Sequence, residues 1–121
     1  TTVGTNPESG VDLEPWGTHV VKNVLFNQCI FRGNNDQGFY IYSADASTVV
    51  QNVVVSNSLA HGNGGYGILL QEMITAGENV MLVGNFMYSN TSGAIGRINA
   101  NDVAYNGNFN WDGVNFISVA P

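Results

Sequence analysis

Three stretches of this chain are copies of one another. They are Asn23-Val24-Leu25-Phe26-Asn27-Gln28-Cys29-Ile30-Phe31-Arg32-Gly33-Asn34, residues 52–63 and residues 79–90. In each, the two flanking asparagines stand eleven residues apart, and successive copies begin 29 and 27 residues apart. A glycine-led apolar segment follows each copy: Gly38-Phe39-Tyr40-Ile41, Gly67-Ile68-Leu69-Leu70 and Gly93-Ala94-Ile95-Gly96. A shortened fourth copy begins at Asp102-Val103-Ala104-Tyr105 and ends in Gly113-Val114-Asn115-Phe116, and a half copy opens as Gly10-Val11-Asp12-Leu13-Glu14. Self-similarity at this period belongs to solenoids, propellers and arrays, in which one unit cannot bury its apolar face alone.

Within the repeat, apolar residues alternate with period two, so Val24 and Phe26 share one strand face. The equivalent pairs are Val53/Val55, Val80/Leu82 and Val103/Tyr105. A small polar position follows, occupied by Cys29, Ser58, Asn85 and Asn108. Stacked copies about 4.7–4.9 Å apart would align these residues in columns, the polar column lying at a bend. The inward positions of the glycine-led strands are read as Val11/Leu13, Phe39/Ile41, Ile68/Leu70, Ala94/Gly96 and Val114/Phe116. Residues 1–9 carry no period and are read as an irregular lead-in, with residues 10–117 as coils of a single domain spanning 1–121.

The turns Asn-Val-x-φ-x-x-[Asn/Ser/Cys]-x-φ-x-x-Asn, each followed by Gly-φ-x-φ, resemble those of the right-handed parallel β-helix repeat proteins, the pectate-lyase-like superfamily. That resemblance implies an all-β fold: a short right-handed parallel β-helix (solenoid) of about four to five coils. Solenoid ends need polar caps, and none is visible before Gly10 or after Val119, so the chain is expected to be a fragment of a longer β-helix. The superfamily holds polysaccharide lyases, glycosidases and phage tailspikes, which implies an extracellular, secreted or virion-associated protein acting on polysaccharide.

Charge narrows the partners. Three Lys and Arg stand against nine Asp and Glu, for a net charge of −6. Nucleic acid and anionic membranes need basic patches, so neither is an expected partner. No apolar run spans a bilayer. The one cysteine, Cys29, permits no internal disulfide and no cysteine metal cluster.

Chemistry is sought on the outward side of the glycine-led strands, where two columns are expected: Asp12, Tyr40, Leu69, Ile95, Asn115 and Glu14, Tyr42, Gln71, Arg97, Ile117. Glu72 and Asp45 lie close by in sequence. Asp12 and Glu14, two apart on one strand, put their Cα atoms about 6–7 Å apart. Such a pair suits the acid/base or nucleophile roles of a glycosidase. It equally suits plain surface acids, and calcium is the one cofactor such oxygens leave open. His19 follows in the next loop as a candidate general acid or base, or a simple loop histidine. Tyr40 and Tyr42 offer rings to a sugar face; Gln71, Glu72 and Arg97 would bind and orient substrate. No metal ligand set is assigned.

Two apolar columns are expected to face outward on the other sheets: Leu25, Val54, Met81, Ala104 and Ile30, Leu59, Phe86, Phe109. Exposed apolar columns of this size mark interfaces. A homotrimer, or cover by the rest of a longer chain, would bury them. The functional expectation is a module that binds polysaccharide and has the acids to cleave it. The alternative is a non-catalytic structural or adhesin segment of a tailspike or cell-surface protein.

Overall fold

The computed structural model describes residues 1–43, 47–72, 79–100 and 103–119. The described residues form strands and turns only. In chain order the strands are β1 (Thr2–Gly4), β2 (Val11–Leu13), β3 (Val20–Asn27), β4 (Ile30–Arg32), β5 (Phe39–Tyr42), β6 (Val49–Ser56) and β7 (Leu59–His61). They continue as β8 (Tyr66–Gln71), β9 (Val80–Val83), β10 (Phe86–Tyr88), β11 (Gly93–Ile98), β12 (Val103–Asn106), β13 (Phe109–Trp111) and β14 (Phe116–Ser118). Every third strand is a neighbour. Sheet A runs β1-β4-β7-β10-β13-β14, sheet B runs β11-β8-β5-β2, and sheet C runs β12-β9-β6-β3. All pairings are parallel except β13 with β14. This is a parallel β-solenoid of about three turns.

The valine file holds. Val24, Val53, Val80 and Val103 are aligned partners in sheet C, as are Phe26, Val55, Leu82 and Tyr105. Phe31, Ala60 and Met87 face them from sheet A, and Phe39/Ile41 with Ile68/Leu70 from sheet B; these seven residues are all buried. Aromatic edges lock the lower coils: Phe26 meets Phe39 at 4.9 Å between centroids, and Phe31 meets Phe39 at 5.7 Å. Burial of such side chains is the main stabilising term, roughly 1.5–3 kcal/mol each.

The corners explain the asparagine and glycine content. Between sheets C and A the same position takes a left-handed backbone in every coil: Gln28 (φ 55°), Asn57 (φ 48°), Gly84 (φ 64°) and Gly107 (φ 63°). After sheet A, Thr5, Gly33, Gly62 and Ser89 do likewise. Only glycine adopts this region without steric cost, with asparagine next.

Side-chain ladders then satisfy the corner backbone. In one, the backbone N–H of Cys29 donates to Ser58 Oγ, that of Ser58 to Asn85 Oδ1, and that of Asn85 to Asn108 Oδ1, each at 3.1 Å. In the other, Asn6, Asn34, Asn63 and Asn90 are joined rung to rung. The Asn90 amide of the sequon Asn90-Thr91-Ser92 is thus part of the frame, and its Nδ2 also donates to the Ala60 carbonyl at 3.0 Å.

Two corners have fixed length and the third does not. Nine residues separate aligned positions of sheets A and B in each coil (Ile30 to Phe39, Leu59 to Ile68, Phe86 to Ile95). Six separate sheets C and A (Val24 to Ile30, Val53 to Leu59, Val80 to Phe86, Val103 to Phe109). From sheet B to the next strand of sheet C the count is eleven (Leu13 to Val24), twelve (Ile41 to Val53), ten (Leu70 to Val80) and six (Arg97 to Val103).

Three expectations are corrected. Residues 1–9 are not an irregular lead-in, because β1 pairs with β4 and Asn6 enters the ladder. In β11, Ile95 aligns with Ile68 and Arg97 with Leu70, so Ile95 points inward rather than Ala94 and Gly96. The ladder rungs Asn63 and Asn90 set that register; Gly93 falls opposite Tyr66, one residue before the Gly67 position. A one-residue slip exchanges the faces of a whole strand. Finally, the segment after Gly113 does not extend sheet B. It returns antiparallel on β13, leaving Val114 and Phe116 exposed.

Candidate functional site

The outward face of sheet B carries the densest chemistry. Asp12, Tyr40, Leu69 and Gly96 are aligned partners there, with Tyr42, Gln71 and Ile98 in the next row and Glu14 directly after β2. The Tyr40 hydroxyl donates to Gln71 Oε1 at 2.9 Å, across two coils. The rings of Tyr40 and Tyr42 lie 6.1 Å apart, inclined at 34°. Gly96 is needed in this surface: a Cβ there would stand 2.8 Å from Leu69 Cδ1 and 2.9 Å from the Tyr66 ring.

Three further carboxylates act on Asp12 at the lower end. The loop before β2 stacks on the loop before β5 through Asn35 N to Asn6 O (3.0 Å), Asp36 N to Glu8 O (3.3 Å) and Gly10 N to Gln37 O (3.0 Å). That stacking brings Glu8 and Asp36 near Asp12. Partial burial pushes the Asp12 carboxyl up to about 6, reinforced by the charges of Glu14, Glu8 and Asp36 and by a hydrogen bond with the Glu14 carboxyl. Asp12 therefore keeps its proton into mildly acidic solution. Burial, then the Glu14 and Asp12 charges, push the Tyr40 phenol up to about 12, so it remains a hydrogen-bond donor. Buried Gln37 fastens the arrangement, its Nε2 donating to Asp36 Oδ1 while its Oε1 accepts from Tyr66 N.

The structure thus brings together Asp12, Glu14, Tyr40, Tyr42 and Gln71. It does not bring in the rest. His19 is exposed and held by its backbone, its N–H donating to Trp16 O at 3.0 Å; among the described residues nothing hydrogen-bonds its imidazole. Glu72 sits at the bend after β8, where its Oε1 accepts from Asn99 Nδ2 at 3.0 Å. Arg97 aligns with Leu70, not with Gln71, and is exposed. Its Nε donates to the Ala100 carbonyl, and its charge acts on the Tyr105 phenol. Asp45 lies outside the described residues. Glu8 and Asp36 were missed from the sequence. Stepping back from Asn34 by the 28-residue interval to Asn6 would have aligned them. Among the described residues no three His, Cys, Asp or Glu side chains are arranged to hold a metal ion, so the calcium suggestion gains no ligand set.

The other outward faces differ. On sheet A one row is Ile30, Leu59, Phe86, Phe109 and the next is Arg32, His61, Tyr88, Trp111. His61 stacks on Tyr88 at 4.6 Å and 9°. Partial burial, then Arg32, push its pKa down. Phe116 folds back over Phe86 and Trp111 at 5.2 and 4.7 Å. On sheet C, Leu25 is 65% exposed and Met81 46%. No known family model, characterised protein or solved structure matches this chain significantly.

Proposed function

We propose that this solenoid is an extracellular carbohydrate-binding module whose sugar surface is the outward face of sheet B. The observation that carries the reading is the Tyr40–Tyr42–Gln71 platform beside the Asp12 and Glu14 carboxyl groups. Tyrosine rings suit the apolar faces of pyranoses, and the carboxylates and the Gln71 amide suit their hydroxyls. The resemblance of the repeat to the pectate-lyase-like superfamily supports the same substrate class. Binding is favoured over cleavage. Two carboxyl groups in mutual hydrogen-bonding reach are closer than the roughly 5–5.5 Å of retaining or 6.5–9.5 Å of inverting glycosidases. Cleavage would require the pair to separate on substrate, with Asp12 as proton donor.

The test is retention and turnover across a polysaccharide panel for the parent, Tyr40→Ala/Tyr42→Ala, Asp12→Asn and Glu14→Gln. The double tyrosine variant is expected to lose at least about tenfold in affinity, the equivalent of 1.4 kcal/mol. Unchanged retention in all variants would sink the reading.

A second reading is favoured by the bare apolar rows of sheet C: a structural segment with no chemistry, packed against copies of itself. Light scattering on the same preparations separates the two. A concentration-dependent oligomer with no glycan retention supports the structural reading; a monomer that retains glycan supports the first.

A further inference from the structure

Above Asn90 the side-chain ladder lacks its next rung. In the lower coils, one asparagine donates its backbone N–H and its side-chain Nδ2 to a single carboxamide oxygen of the coil above. Asn6 does so to Asn34 Oδ1 at 3.3 and 3.1 Å, Asn34 to Asn63 Oδ1 at 3.1 and 2.8 Å, and Asn63 to Asn90 Oδ1 at 3.2 and 2.8 Å. After Trp111 the chain departs. Asp112 Oδ1 accepts from the backbone N–H groups of Val114 and Asn115 at 2.8 and 2.7 Å, closing a tight turn that sends the chain back as β14. Among the described residues no asparagine is delivered above Asn90. Among the described residues nothing accepts from its backbone N–H, and its Nδ2 donates only downward, to Ala60 O.

A cleft of about 480 Å³ opens at this place, and Tyr88, Ser89, Asn90, Asn110, Trp111 and Asp112 are among the residues that line it. Its size falls within the range of small-molecule sites, roughly 300–1,000 Å³. We propose that the cleft binds the acetamido group of an N-acetylated hexose. Its carbonyl oxygen replaces the missing carboxamide oxygen on Asn90, and its ring lies against Trp111. An acetamide carbonyl is the same acceptor as the asparagine side chain that fills this position in every lower coil. An indole presents the apolar surface that a pyranose ring needs. A carboxylate would also accept from Asn90, but Asp112 stands at the rim. The N–H groups of Asn115 and Val114 keep it ionised by lowering its pKa, and its charge disfavours an anionic ligand. The proposal rests on the glycan reading above for its ligand class, and places a second site on a different face.

The experiment uses the two tryptophans. Trp16→Phe leaves Trp111 as the single indole. That chain is titrated with N,N′-diacetylchitobiose and with cellobiose, which differ in the acetamido groups. A saturable change in indole emission is expected for the first, about tenfold tighter than for the second, the effect of one or two hydrogen bonds. No change, or equal response to both, overturns the proposal, as does equal response to an asparagine-containing tripeptide. Calorimetry on Trp111→Tyr and Trp111→Leu guards against a folding artefact: partial retention with tyrosine and loss with leucine supports ring stacking, and equal binding by both overturns it. Disaccharide binding without any polysaccharide retention sinks the sheet B surface and keeps the cleft; the converse sinks the cleft alone.

Discussion

Sheets A and B stand on the same coils and face water with opposite chemistry. Sheet B presents Asp12, Tyr40, Tyr42 and Gln71, with Glu8 and Asp36 at its foot; sheet A presents Arg32, His61, Tyr88 and Trp111 beside a row of apolar side chains. Inside, both rest on the same files of valine, isoleucine and phenylalanine and share the Asn34–Asn63–Asn90 ladder at the corner between them. Every coil must repeat the interior, because each rung satisfies the one below. The outward positions carry no such duty, so neighbouring faces are free to diverge. In a solenoid, interior residues report the fold and exterior rows report the work.

That comparison can be broken at its shared support. Asn63→Ala removes a buried side chain that accepts from Asn34 N and Nδ2 and donates to Phe31 O and Asn90 Oδ1. Stranding several buried polar groups should cost about 3 kcal/mol or more, and both faces should fail together. Urea unfolding followed by Trp111 emission measures it; a loss under about 1 kcal/mol would mean the ladder does not carry the corner. Gly96→Val should act on one face only. Its new side chain meets Leu69 and Tyr66, so about 1–3 kcal/mol is expected from overpacking, with the His61–Tyr88 stack left intact. Chemical shifts of His61 and Leu69 would show whether the disturbance stays on sheet B.

The smallest effect is electrostatic. Asp12 binds its proton more tightly in the folded chain, at about 6 against 3.8. Its stabilising contribution is therefore complete below about pH 4 and is lost as pH rises through 6. Solvent screening of this partly exposed group limits the change to roughly 1 kcal/mol. Asp12→Asn should flatten that part of the stability profile, and an unchanged profile would show that the four carboxylates do not interact.

Much of the fold could be read from the sequence because the repeat is exact where packing is exact. The valine file, the polar corner column and the outward apolar rows of sheets A and C all stand where their spacing places them. The two misplaced segments, β11 and the stretch after Gly113, share one cause. Gly93 and Gly113 do not mark register, because glycine answers to backbone angle and the asparagine ladder sets the alignment. Ile95 turns inward and Arg97 leaves the row of Gln71 for that reason. Of the site, Asp12, Glu14, Tyr40, Tyr42 and Gln71 followed from strand alternation alone. Glu8 and Asp36 did not, since they reach Asp12 through stacked loops that alternation does not describe. The cleft above Asn90 was hidden too, because it arises where the pattern fails.

The unequal third corner has a practical meaning. Connections of eleven, twelve, ten and six residues join sheet B to sheet C without shifting a single aligned pair on either side. Foreign peptide spliced at that junction should leave the stack undisturbed while hanging beside the tyrosine platform. Selection, or an engineer, could thus exchange recognition loops on this scaffold without redesigning its interior.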